Sequence, residues 1–134
     1  MSDLHGMRTP LARARGLGSA KDGVHHWWMQ RLTAIALALL TPWFLWLLLS
    51  LRSAGYAAIG VSLARPYNMI LLIAFVIALF WHARLGLQVV IEDYVHARGL
   101  ELALQVLVTL ACALGVLTAV VAIARIAFLF ATSG

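Results

Sequence analysis

The chain has 134 residues, 63% of them hydrophobic and 11% charged, with a mean hydropathy of +0.94. Soluble domains are about 45–50% apolar, so this composition excludes both a disordered chain and a large soluble catalytic domain, and it predicts a membrane protein. At about 20 residues per span, the length has room for three transmembrane helices in one domain. Ten Lys and Arg against five Asp and Glu give a net charge of +5 and a pI near 10.4. In a soluble protein that balance would point to nucleic acid. Here five of the basic residues (Arg8, Arg13, Arg15, Lys21 and Arg31) precede the first apolar run, the distribution that holds a membrane protein's N-terminus in the cytoplasm. No nucleic-acid partner is expected. The single cysteine, Cys112, lies in an apolar run and rules out an intrachain disulfide.

Residues 1–23 are rich in Arg, Gly, Ala and Ser without a periodic apolar pattern, and read as a mobile or partner-bound basic arm. The 20-residue apolar run that follows exceeds the h-region of a secretory signal. Asp3, Asp22 and the shortness of the arm speak against an organellar address. Residues 24–134 then form a three-helix transmembrane domain with helices over approximately 27–51, 66–94 and 101–128.

Leu32 to Leu51 carries no charge over 20 residues and would span about 30 Å as a helix. Trp27 and Trp28 stand at its entry, where indoles favour the headgroup layer, and Arg52 closes its far end. Pro42 predicts a kink in mid-span. Residues 52–65, with Gly55 and Gly60, read as a short connection, after which Pro66 opens the second helix. That helix is uncharged from Pro66 to Ala83 and keeps its pattern to about Tyr94, longer than the bilayer requires. Gly99 predicts a helix stop before a third span, Leu102 to Ala124, closed by Arg125. With the N-terminus cytoplasmic, the second connection lies on the cytoplasmic side and the C-terminus on the opposite side.

Ionisable groups near apolar spans are costly and are functional candidates by default. At 100° per residue, Gly86 lies about 40° and Asp93 about 20° from His82, so one face of the second helix carries His82, Gly86, Val89 and Asp93. An imidazole followed one turn later by a residue without a side chain suits a planar macrocycle, and haem iron accepts a His ligand. It equally suits an interhelical hydrogen bond from His82 with Gly86 as a packing notch. Asp93 and Tyr94 sit roughly 16 Å further along the axis. A phenol beside a carboxylate suits a quinone, and an interfacial aromatic anchor beside a solvated carboxylate is the alternative. Arg31 reads as a topology anchor, or as a partner for Asp93 or a haem propionate. Arg84 is expected to snorkel, or to pair with a carboxylate or a propionate. Gln30, Thr33 and Thr41 read as helix–helix hydrogen bonds, and Cys112, Gly115 and Thr118 as packing residues. Glu92 reads as a headgroup or partner contact, and His25 and His26 as interfacial. There is no phosphate loop, no zinc spacing and no nucleophile with an adjacent base.

The run His82-x3-Gly86-x6-Asp93-Tyr94-Val95-His96, with Gly23-Val24-His25-x5-Arg31-x-Thr33 before the first span, resembles the small membrane-anchor (D) subunit of succinate dehydrogenase, respiratory complex II. The resemblance covers the arm, the mouth of the first helix and the second helix. It implies a four-subunit complex in which a flavoprotein with FAD oxidises succinate, an iron–sulfur protein relays electrons, and two three-helix anchors bind haem b and ubiquinone. By position, it implies that His82 is this subunit's axial haem ligand, with Gly86 giving clearance and the second ligand supplied by the larger, cytochrome b anchor. It implies that Tyr94 and Asp93 contribute to quinone binding and proton relay, and that Arg31 contacts a propionate or the quinone site. The pattern departs from the family at Glu92, where Thr is frequent. The expected location is the bacterial cytoplasmic (inner) membrane rather than the mitochondrial one. The alternatives are a haem-free anchor of a fumarate reductase type, a small proton-coupled transporter, and an assembly protein in which His82 only packs.

Overall fold

The computed structural model describes residues 19–131 of the backbone, with side chains from residue 23. The expected basic arm falls, up to residue 18, outside the described residues. Four helices follow in order: α1 (Ser19–Leu51), α2 (Tyr56–Ala64), α3 (Pro66–Tyr94) and α4 (Arg98–Ala131), with no strand among the described residues. Gly23–Leu51, Pro66–Tyr94 and Arg98–Ala131 are each long and apolar enough to cross a membrane. The chain is therefore an all-α membrane protein with three candidate spans. Only a helix can carry these runs through lipid as single segments, because its backbone groups are satisfied within the segment.

The element boundaries differ from expectation at four places. First, α1 begins at Ser19 rather than near Trp27, so the last residues of the expected arm continue the helix. Second, the connection 52–65 contains α2. Its sequence, Tyr-Ala-Ala-Ile-Gly-Val-Ser-Leu-Ala, is apolar enough to lie on α3 and α4. Third, Gly99 does not end a helix but sits in the first turn of α4. The break falls instead at residues 95–97, where Val95 turns to φ −105°, ψ 105°. The first bond of α4 runs from the Glu101 N–H to the Ala97 carbonyl at 2.9 Å, and the Glu101 carboxylate lies where it complements the helix dipole. Fourth, α4 continues to Ala131.

The start of α3 follows from Pro66. A residue before proline is pushed out of the helical region, and Arg65 is extended at φ −60°, ψ 130° while Pro66 takes the first helical position. Asn68, 2% exposed, then donates from Nδ2 to the Ser62 carbonyl at 2.8 Å. This bond ties the end of α2 to α3. At the same junction Arg65 donates to the Tyr67 hydroxyl at 3.1 Å, which raises the guanidinium pKa further.

In this arrangement α3 is central, with α1 on one side and α4 on the other. Phe44 stacks on Phe75 at 4.6 Å across α1 and α3. The α3–α4 seam is closed by Phe80, whose ring occupies the space a Cβ at Gly115 would need. Phe130 similarly fills the space over Gly60 and joins α2 to the end of α4. The buried apolar set is small: Leu47, Leu72, Ala78, Leu85, Ile91 and Ala127. Apolar surface gains little by helix–helix association in lipid, so these close ring-on-glycine contacts carry the packing. Gly60→Ala should displace Phe130 and destabilise the fold by roughly 1–3 kcal/mol, the usual cost of overpacking. A drop in unfolding temperature on heating the purified assembly would be the observation; an unchanged temperature would mean the Phe130 ring moves freely.

Candidate functional site at the α1–α3 seam

The mouth of α1 and the second half of α3 meet around His82. Thr33 and His82 face each other, with Oγ1 and Nδ1 3.0 Å apart. The Thr33 hydroxyl has one proton and two lone pairs, and backbone carbonyls of Met29 at 2.8 Å and Gln30 at 3.1 Å lie within its reach. Its proton therefore goes back into its own helix, as Thr hydroxyls do at such positions. The lone pairs remain to accept from His82, which puts the ring proton on Nδ1. Nε2 is then the unprotonated nitrogen, and it makes no hydrogen bond among the described residues and is not enclosed by the chain. A second partner that fixes the tautomer is what orients a metal-ligating histidine.

Gly86 lies one turn further along the same face. A Cβ there would meet only the Gln30 Nε2, at 3.9 Å, whereas the same addition at Gly60 or Gly115 would strike an aromatic ring. The packing-notch reading thus fits Gly60 and Gly115 and does not fit Gly86, where nothing in this chain needs the missing side chain. On the same stretch of α1, His26 Nε2 and Gln30 Oε1 are buried without a partner, Gln30 near Gly86 and His26 one turn further from His82. The seam beside His82 and Gly86 thus combines an open face, a free imidazole nitrogen and two orphaned polar atoms. These residues fit a planar ligand held by His82.

Arg31 is exposed, and its guanidinium stacks over the Trp27 ring at 4.3 Å, a cation–π contact. The expected pair with Asp93 does not form, and no salt bridge joins them. The reason is axial: antiparallel packing with Thr33 level with His82 puts Arg31 about nine residues, roughly 14 Å, short of Asp93. Asp93 and Tyr94 are exposed at the end of α3, Tyr94 at 80%, and neither side chain has a partner among the described residues. Glu92 has an intramolecular role that sequence reasoning missed. Its Oε1 accepts from Gln88 at 2.9 Å and from Gln105 at 3.4 Å, linking α3 to α4. The amides at 88 and 105 were the available signal. With Glu92 turned about 100° away, Asp93 is left unengaged. Arg84 neither meets a carboxylate nor hangs free: its Nε donates to Thr109 at 3.1 Å. Thr118 back-bonds to Leu114 at 2.8 Å. No group of three or more metal-ligating side chains occurs among the described residues.

Comparison with known proteins gives the family. Residues 5–130 match the family described as the succinate dehydrogenase/fumarate reductase transmembrane subunit. The chain belongs to that family. It is 40% identical over 116 residues to the succinate dehydrogenase hydrophobic membrane anchor subunit of Rickettsia bellii, covering 87% of this chain and 93% of the relative. The corresponding subunit of Rickettsia conorii is 35% identical, with 90% and 96% covered. That of Paracoccus denitrificans is 33% identical, with 64% and 67% covered. No solved structure matches. The family and these relatives make the chain a succinate dehydrogenase membrane anchor of the D type, one part of an oxidoreductase complex with partner subunits. Rickettsia and Paracoccus point to a bacterial membrane.

The Thr33–His82 bond can be tested by itself. Interhelical hydrogen bonds of this kind average about 0.6 kcal/mol and reach about 1.7. Thr33→Val should lower resistance to detergent unfolding by that amount and Thr33→Ser should retain it. Equal resistance in all three proteins would show that the contact contributes nothing.

Proposed function

We propose that this subunit holds one face of a b-type haem through His82 and contributes Tyr94 and Asp93 to a ubiquinone site, so that the complex passes electrons from succinate to quinone in the bacterial cytoplasmic membrane. The observation that carries it is the contrast between Gly86, where a Cβ would meet only Gln30 Nε2 at 3.9 Å one turn beyond a His82 bonded through Nδ1 alone, and the two glycines that this chain fills itself. A haem bound there supplies a one-electron iron couple whose potential depends on its ligands and their hydrogen bonds.

His82 would bind the iron through Nε2, with Thr33 as the positioning residue that fixes the ring's tautomer and plane. The Gly86 backbone leaves clearance for the macrocycle. Arg31 stands at the level of His82 rather than of Asp93, which favours a propionate over the quinone as its anionic partner, and Trp27 holds its guanidinium at that level. At the other level, the Tyr94 phenol can donate a hydrogen bond to a quinone carbonyl. Asp93, exposed to water and free of intramolecular partners, can deliver protons as the carbonyl oxygens gain charge. The basic residues ahead of the first span support a cytoplasmic placement of this end. Within α3, His82 is this chain's histidine for that group, and the larger, cytochrome b anchor would supply another. FAD and the iron–sulfur clusters belong to the flavoprotein and iron–sulfur subunits, the latter docked at the Tyr94 end.

The test is the dithionite-reduced minus oxidised spectrum of membranes carrying the assembled complex. His82→Ala and Gly86→Leu should each abolish or displace the b-type band while the subunits remain assembled. An unchanged band in assembled His82→Ala would overturn the ligand assignment and favour the haem-free anchor of a fumarate reductase type. For the quinone site, Tyr94→Phe should raise the quinone KM about five-fold, the equivalent of about 1 kcal/mol for one lost hydrogen bond, and leave the haem band in place. An unaltered KM would reduce Tyr94 to an interfacial anchor.

A further inference from the structure

On the side of α3 turned away from His82, two adjoining cavities share Arg84 and Thr109. The larger, about 680 Å³, is a groove between α3 and α4 that runs from these two residues past Phe80 and Cys112 to Val120. The smaller, about 260 Å³, continues in the opposite direction between Gln88 and Gln105. The larger cavity is almost wholly apolar, the smaller sets the amides of Gln88 and Gln105 among apolar side chains, and a guanidinium stands at their junction.

The chemistry of that junction is specific. Arg84 is half-buried, and its Nε is anchored on Thr109 at 3.1 Å. This orients the plane of the group and leaves its two terminal nitrogens with no acceptor among the described residues. The nearest carboxylates on these helices, Glu92 and Glu101, accept from Gln88 and Gln105. Glu92 lies about 12 Å further along α3, so neither pairs with the guanidinium. An unpaired, oriented fork of donors between two apolar spans calls for an anion with several oxygens.

Length identifies the remainder of the ligand. From Thr109 to Val120 the groove follows α4 for about 16 Å, and one leaflet of a bilayer contributes about 15 Å of hydrocarbon. We propose that this groove is a binding site for an anionic phospholipid, its phosphate on Arg84 and one acyl chain lying along α3 and α4. The occupant braces the α3–α4 seam from the side opposite His82.

The experiment uses the intact complex, stripped of lipid in mild detergent and resupplied with dioleoyl phosphatidylglycerol, dioleoyl phosphatidylcholine or inorganic phosphate while thermal unfolding is followed. Phosphatidylglycerol should raise the unfolding temperature more than phosphatidylcholine does. Arg84→Gln should weaken that response about ten-fold in lipid concentration, the loss expected for a charge-assisted hydrogen bond. Arg84→Lys should keep part of it. Ala113→Phe, which fills the groove without touching the charge, should remove the response as well. Equal responses to the two lipids, an Arg84→Gln complex that behaves like wild type, an identical gain from inorganic phosphate alone, or a cross-link from Cys112 to a partner subunit would each overturn the proposal.

Discussion

A threonine proton and the two nitrogens of one imidazole set the conditions for everything else in this subunit. In the low-dielectric layer between helices, a polar group without a partner is expensive, so His82 cannot stand there unserved. Thr33 serves one nitrogen only, because its own proton is committed to the Met29 carbonyl. The consequence is directional: the ring is fixed against α1 through Nδ1, and its other nitrogen makes no hydrogen bond among the described residues. A histidine satisfied on both sides would have been a packing residue. One satisfied on a single side leaves its other nitrogen available to a group from outside the chain.

α3 is the central element, and it carries three candidate sites along and around itself. Its face toward α1 presents His82 and the open backbone at Gly86. Its opposite side carries Arg84, anchored on Thr109 at the head of an apolar groove. Its end, extended beyond the apolar run, projects Asp93 and Tyr94 into the polar layer, while Glu92 and the amides of Gln88 and Gln105 keep that end attached to α4. The far end is locked differently, by Phe130 over Gly60 and by Asn68 bonded to Ser62. Rings over glycines close the chain onto itself at Gly60 and Gly115, whereas a Cβ at Gly86 would meet only Gln30 Nε2.

Much of this was legible in the residues before any coordinates. Uncharged runs of bilayer length place the three spans, since charge is costly inside them. The helical period alone puts His82, Gly86 and Asp93 on one face, and Thr33 was recognisable as an interhelical hydrogen-bonding group. What escaped is of two kinds. The short helix α2 and the placement of Gly99 inside α4 depend on local competition between Gly, apolar contacts and the backbone break at Val95, where a single residue type does not decide. The separation of Arg31 from Asp93 depends on the register of two antiparallel helices, which periodicity within each helix does not contain. Glu92 shows the same limit: its partner Gln105 is thirteen residues away on another helix.

The central claim is that His82 is oriented by Thr33 so as to present Nε2 to a haem iron. The most direct measurement is a cryo-electron microscopy map of the assembled complex at a resolution that separates the two ring nitrogens by their contacts. The account predicts Nδ1 on the Thr33 hydroxyl and Nε2 within bonding distance of an iron whose macrocycle passes over Gly86. A map with Nε2 hydrogen-bonded to a partner side chain, or with the iron ligated elsewhere, would contradict it.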